Sequence, residues 1–150
     1  LPVDHLATTR RRQGLERACY EAGLDPNSLE HSYMAFGDEH YRDIPSVLLA
    51  HIQNGIPRFD SVICGNDRIA LMVYQTLLAQ GLRIPQDIAV IGYDNMVGIG
   101  ELFLPPLSTV QLPHYEIGRL SALHIINGEN HRETTRVESP FLMRDSVAHL

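Results

Sequence analysis

The sequence predicts an α/β fold organised around a parallel, doubly wound sheet, on two observations. The stretch from Ser61 to Asp94 reads SVICGND, a long apolar helical segment and then GLRIPQDIAVIGYD. That order is a buried strand, a capped helix, a tight return and a second buried strand, which is the crossover unit of a parallel sheet. Within it Ile88 to Ile91 is an unbroken apolar run, the pattern of a strand covered on both faces. Both strands end in polar residues, Asn66 and Asp67 after the first and Asp94 and Asn95 after the second. Ligands bind at the carboxyl edge of such sheets, so function is expected there.

Composition bounds the remaining classes. The 150 residues are 44% hydrophobic, enough for a real core. A formal charge of −6 is not that of a nucleic-acid-binding chain, which would carry clustered Lys and Arg, so any DNA contact is expected from residues outside this chain. Cys19 and Cys64 sit in apolar patterns without CxxC spacing and read as small buried thiols of a reducing compartment. No apolar stretch is long enough to cross a bilayer, and no charged start precedes an apolar run and a cleavage site. The expectation is a soluble, cytoplasmic protein. LPVDHLATTRRRQG opens with loop chemistry and runs straight into a helix where a parallel sheet would place a strand first, so the chain reads as a piece of a longer protein.

In chain order, a helix is expected from Thr8, with Thr8 or Thr9 as cap, Arg11, Gly14, Leu15, Ala18 and Ala22 on one face, and Gly23 as its stop. Arginines at positions 10 to 12 oppose the helix dipole. Arg10 and Arg12 read as a solvated turn, whereas Arg11 continues the apolar stripe and is assigned to face a ligand. Ser32 to Phe36 is strand-like, and the following polar run is a loop without zinc or calcium spacing. Pro45 then opens a helix with Val47, Leu48 and Ile52 inward, ending near Asn54-Gly55. After the strand at 61–65, Asn66 or Asp67 caps the next helix and leaves the other side chain for the cleft. Ile69 to Tyr74 is apolar around the whole helix, more than one sheet-facing side requires, and this argues for a second packed surface, here a partner subunit.

Gly81 and Pro85 form the return turn. Asp94 has an ordinary use as a turn residue but sits where a ligand contact is expected. Residues 96 to 107, MVGIGELFLPPL, are too apolar for an idle loop, and a dimer contact is the natural use. Ser108 to Val110 is a short strand, and Pro113 starts a helix that ends at Asn127-Gly128, with His124 on its apolar face as a packing residue. Val137 to Met143 is a last strand, placed at an edge or bulge by Pro140.

Catalytic signatures are missing from the sequence. It holds no GxSxG elbow and no GxxxxGK[ST] loop, and Gly98-Ile99-Gly100 lacks its third glycine because position 103 is Phe103. Eight histidines are scattered without HExxH spacing. No enzyme activity, metal or cofactor is expected. What remains is Arg11, Asn66 and Asp94, with Glu39, His40 and His114, a hydrogen-bonding set suited to a polyhydroxylated or otherwise polar small molecule.

The segments CGNDRIALMVYQTLLAQGLRIPQDIAVIGYDN, LPPLSTVQLPHYEIGRLSA and FLMRDSV resemble the effector-binding core of LacI/GalR-type transcription repressors. The shared pattern runs ND, A, G, P, D, G-[FY]-D, P-x-[LF]-[ST]-T, G and R-x-S, and begins with the R-x-x-G of Arg11 and Gly14. The resemblance implies a periplasmic-binding-protein-like fold of type I, present mostly as its C-terminal subdomain. Residues 1–112 and 136–150 would belong to that subdomain, and the helix at 113–128 to the N-terminal one. By motif position Arg11, Asn66 and Asp94 match effector contacts, and His114 a less regular one. Glu39 or His40 stands where the family places a stacking aromatic, with Tyr41 close by.

The same resemblance implies a homodimer packed through the helix carrying Leu71 and Gln75 and through Ile99, Leu102 and Phe103. It implies DNA binding through an upstream helix-turn-helix absent from this chain. The expected effector is a sugar, nucleoside or purine-like compound. The competing reading is an exported solute-binding protein of a transporter, which shares the fold and cleft.

Overall fold

The computed structural model describes residues 6–33, 38–96, 98–128 and 134–148. The chain divides into two compact units, Leu1–Arg58 and Phe59–Leu150.

The first unit begins with helix α1, Leu6–Glu21. Gly23, at φ +72, ends it, with the Gly23 and Leu24 amides donating to the carbonyls of Tyr20 and Cys19. This left-handed C-terminal stop is the role expected of Gly23. The start differs from expectation, because Thr8 and Thr9 lie inside the helix. The half-buried stripe of α1 runs through Thr8, Arg11, Arg12, Leu15 and Cys19, while Gly14, Ala18 and Ala22 are exposed. Arg11 therefore lies on the less exposed side as expected. Arg12 does too, paired with Glu16 at 3.4 Å, and of the three only Arg10 is exposed.

Ser32 and Tyr33 are not in a strand, and the rest of the segment expected to be one lies outside the described residues. A 3-10 stretch at Asp38–Asp43 leads into the short helix α2, Ile44–Leu49, which buries Ile44 and Leu48 and leaves Val47 exposed. Asn54-Gly55 does not end this helix. It is the turn of a hairpin between β1, Ile52–Gln53, and β2, Ile56–Pro57. Both turn residues are left-handed, Asn54 at φ 53 and Gly55 at φ 76, as a two-residue hairpin of matching twist requires.

The second unit holds a four-stranded sheet in the order β3-β4-β5-β6. Its strands are β3, Ser61–Ile63; β4, Ala89–Asp94; β5, Ser108–Gln111; and β6, Phe141–Leu142. The first three are parallel and β6 is an antiparallel edge, with Pro140 just outside it. Helix α3, Asp67–Ala79, makes the crossover from β3 to the parallel β4. Its residues Ala70, Val73, Tyr74 and Leu77 are buried, as are Ile88, Val90 and Leu107 of the same unit, and each wholly buried Leu or Ile contributes about 1.5–3 kcal/mol.

Only one face of β4 is sealed: Val90 and Gly92 are buried, whereas Ala89, Ile91 and Tyr93 on the other face are half-buried. On that second face Ile63 is 47% exposed and Phe141 46% exposed, in contrast to the two-sided cover the apolar run predicts. Helix α4, His114–Ile126, has no buried residue. Among the described residues no helix is long and apolar enough to cross a membrane.

The 96–107 segment is not uniformly a surface. Phe103 turns inward to a T-shaped contact with Tyr74, the ring centroids 4.8 Å apart, and the Tyr74 hydroxyl donates to the Pro105 carbonyl at 3.0 Å. Burial pushes the Tyr74 hydroxyl up to about 12. Leu102 and Leu104, which flank Phe103, are exposed.

Candidate functional site at the carboxyl edge of the sheet

Parallel pairing of β3, β4 and β5 brings their carboxyl ends to one edge. Asn66 follows β3, Asp94 ends β4, and Gln111 sits opposite Asp94 at the end of β5. Helix α3 starts at this edge. Asn66, in extended backbone, is its cap, and its side-chain oxygen accepts from the Ile69 amide at 2.8 Å. The choice between Asn66 and Asp67 as cap is thereby resolved. The carboxamide of a capping Asn still carries donor groups in addition to its engaged oxygen.

Asp67, the member of the pair that capping leaves over, does not face the cleft as expected. It is buried, 1% exposed. One carboxylate oxygen accepts from the Thr109 hydroxyl and the other from the Met96 amide, each at 2.8 Å. A buried carboxylate is tolerated when hydrogen bonds replace its water, and the start of a helix adds favourable dipole. Gly92 leaves room for it, since a Cβ there would lie 2.2 Å from an Asp67 carboxylate oxygen. Cys64 is buried nearby, and desolvation together with the Asp67 charge pushes its thiol up.

The loop after β4 rests on this buried cluster. Asp94 at φ 116 and Asn95 at φ 47 adopt positive φ, which is uncommon for residues other than glycine. Such conformations concentrate at ligand-contacting positions held by their surroundings. The surroundings here are specific. The Asn95 amide donates to the Thr109 hydroxyl oxygen at 3.4 Å, the Met96 amide donates to Asp67, and the Asp94 carbonyl accepts from Leu112 at 3.4 Å.

Asp94, Asn95, Met96, Leu112 and His114 line one concavity of about 320 Å³. Its chemistry is mixed in a useful way. A carboxylate, a carboxamide and an imidazole offer directional hydrogen bonds, while Met96 and Leu112 offer apolar contact to carbon faces. That combination suits a molecule with hydroxyl groups on a carbon skeleton. A second concavity of about 320 Å³ runs along α4, lined by Ile117, Leu120, Ser121 and His124 with Thr135 and Ser139.

The structure thus brings Asp94 and His114 together and sets Asn66 at the neighbouring strand end. Arg11, Glu39 and His40 belong to the first unit. Arg11 is on the half-buried side of α1, His40 lies 3.5 Å from the Asp43 carboxylate, and the Glu39 side chain lies outside the described residues. Of the residues assigned to a dimer contact, Leu71, Gln75 and Leu102 are exposed, Ile99 is half-buried, and Phe103 is buried in the core of its own chain. Among the described residues no group of three or more His, Cys, Asp or Glu side chains is placed to hold a metal ion.

Sequence reasoning missed Asp67, Gly92, Thr109 and Arg144 as supports of this edge. All four fall inside the shared motifs, and a further signal for Asp67 was that an Asn-Asp pair holds one more polar side chain than a cap needs.

The profile of periplasmic binding proteins and the sugar binding domain of the LacI family matches residues 1–145. The chain is 56% identical over 147 residues to a sucrose operon repressor of Escherichia coli, covering 98% of this chain and 44% of that protein. It is 33% identical over 153 residues to the ribose operon repressor of Escherichia coli strain K12, with 98% and 44% covered. A crystal structure of a LacI family transcriptional regulator from Enterococcus faecium with bound ribose superposes with a TM-score of 0.75 at 28% identity, covering 93% of this chain and 51% of the other. The chain spans a little under half the length of the curated relatives it matches. With residues 1–145 matched and the parallel sheet, crossover helix and carboxyl-edge concavity in place, the chain belongs to the family of periplasmic binding proteins and LacI-type sugar-binding domains.

Proposed function

We propose that this chain is the effector-sensing part of a LacI-type transcriptional repressor and that its effector is a sugar of the kind handled by sucrose operons. The observation that carries this reading is the 56% identity, over 98% of the chain, to a sucrose operon repressor. The concavity at Asp94, Asn95 and His114 supplies the matching chemistry. Asp94 accepts from neighbouring hydroxyls, the Asn66 carboxamide donates beside it, and His114 closes the set. Arg11, Glu39 and His40 enter the proposal through the motif resemblance alone.

Binding occurs without turnover and without a cofactor. The sugar acts by preferring one arrangement of the protein, and its differential affinity biases operator binding through an upstream helix-turn-helix in the cytoplasm. The exposed Leu71, Gln75 and Leu78 on α3, together with Leu102, form the contact of a homodimer. Helix α4 belongs to the N-terminal subdomain, which its lack of buried residues supports.

The test is operator binding by the full-length protein, followed by fluorescence anisotropy with sucrose, fructose, glucose, ribose and adenosine each added in turn. A sugar is expected to shift operator affinity by at least about fivefold. If no sugar shifts it, the reading fails. Sugar binding by a full-length protein without affinity for DNA would instead favour the transporter-protein reading.

A further inference from the structure

We infer that Arg144 is the positioning residue of the ligand-facing loop, acting through the side chain of Asn95. This inference rests on the effector reading above only for its affinity arm. Arg144 lies beyond β6, far along the sequence from the loop it holds. Its guanidinium donates from Nη1 to the Leu107 carbonyl at 2.7 Å and from Nη2 to the Asn95 Oδ1 at 3.0 Å. The side chain is 17% exposed, and the Glu101 carboxylate stands 3.9 Å away.

The backbone on which Arg144 is mounted is itself fixed. The Arg144 amide donates to the Ser108 hydroxyl at 2.8 Å, and that hydroxyl donates back to the Arg144 carbonyl at 2.9 Å. Two residues on, Ser146 is fully buried, its hydroxyl donating to Val90 at 2.6 Å and accepting from the Ser108 amide at 2.8 Å. The guanidinium is therefore carried on a segment stitched between the starts of β4 and β5, the most protected part of the sheet.

Gly100 supplies the remaining space. A Cβ there would lie 2.7 Å from Nη1 of Arg144 and 3.5 Å from Oδ1 of Asn95. The planar fork spans two acceptors on different loop segments at once, which a lysine ammonium cannot do with the same geometry. Asn95 lines the concavity at a positive φ of 47. With its side-chain oxygen held by Arg144, its amide group is turned in one direction for a ligand, and the ordering cost is met before binding.

The experiment uses the full-length protein with Arg144→Lys, Asn95→Gly and the double variant, because glycine keeps the backbone of position 95 accessible. The ligand-free measurement is amide hydrogen exchange. Arg144→Lys is expected to raise exchange across 95–101 at least about tenfold while β4 and β5 stay protected. The affinity measurement is calorimetric titration with sucrose. Arg144→Lys is expected to weaken binding about tenfold in the wild-type background and by less than about twofold in the Asn95→Gly background. Unchanged exchange across 95–101, or an equal loss of affinity in both backgrounds, would overturn the inference. Failure of every sugar of the operator-binding panel would refute the effector reading instead, and the exchange data would then decide the role of Arg144 alone.

Discussion

The carboxylate of Asp67 accepts the Thr109 hydroxyl at 2.8 Å, joining the first turn of the crossover helix to an interior strand of the sheet. Its other oxygen accepts the Met96 amide. One buried side chain thus sets the height of the loop that carries Asp94 and Asn95. Asp67→Ala removes both acceptors and leaves the Thr109 hydroxyl proton and the Met96 amide without them, for an expected loss of about 2–3 kcal/mol in denaturant unfolding. Asp67→Asn is expected to cost less, because the Thr109 hydroxyl can turn to accept. Gly92→Ala is expected to destabilise by about 1–3 kcal/mol, and by less in the Asp67→Ala background, where its nearest obstacle is gone. Equal costs in the two backgrounds would show that the carboxylate is not what reserves position 92 for glycine.

Leu71 and Phe103 were both legible as apolar surplus, yet the structure separates them. Leu71 is exposed on α3, and Phe103 is 6% exposed against Tyr74. Leu71→Glu is expected to leave the unfolding midpoint almost unchanged and to weaken self-association of the full-length protein in sedimentation. Phe103→Ala is expected to lower stability by about 3–5 kcal/mol through an unfilled cavity. The reverse pattern would place the partner surface elsewhere.

Arg83 and Asp87 form a two-pronged pair at the return turn, with bonds of 2.9 and 2.8 Å, and the Arg83 amide donates to the same carboxylate at 2.8 Å. These hydrogen bonds hold the Asp87 carboxyl down at about 2, against an ordinary value of 3.8. Because the folded value is the lower one, the pair stabilises fully above about pH 4, and this contribution is lost as pH falls from there through about 2. In Arg83→Gln the Asp87 titration, followed by carboxyl carbon NMR, is expected to move up towards 3.8. No movement would mean the turn backbone alone holds the carboxylate.

Much of the sheet could be read from the chain because the apolar runs of the 61–94 unit are bounded by local signals, a polar cap pair at Asn66-Asp67, a stop at Gly81 and Pro85, and a polar end at Asp94-Asn95. The end of the first helix at Gly23 and the edge strand beside Pro140 follow from backbone chemistry that two residue types make local. The hairpin at Asn54-Gly55 was missed although Asn-Gly is the strongest short hairpin signal, because a nearby Pro45 and an apolar spacing of Val47, Leu48 and Ile52 fitted a longer helix. The one-sided cover of β4 was not legible, since an apolar run reports the preference of its side chains and not which neighbours supply the cover. The supports of the site were hidden for a different reason: Asp67 meets Thr109, and Arg144 meets Asn95, only in three dimensions, and their residue types equally suit caps, turns and surfaces. Asp94 and His114 could be placed because strand ends and helix starts are local, and both now line the same concavity.

The central claim is that the carboxyl edge of this sheet grips a sugar through Asp94. Calorimetric titration of sucrose into the full-length wild type and Asp94→Asn tests it directly, since Asn tolerates the positive φ of position 94 and removes only the charge. The account predicts that affinity falls between about tenfold and about a hundredfold while the thermal midpoint stays within a few degrees. Equal affinity in the two proteins would contradict it.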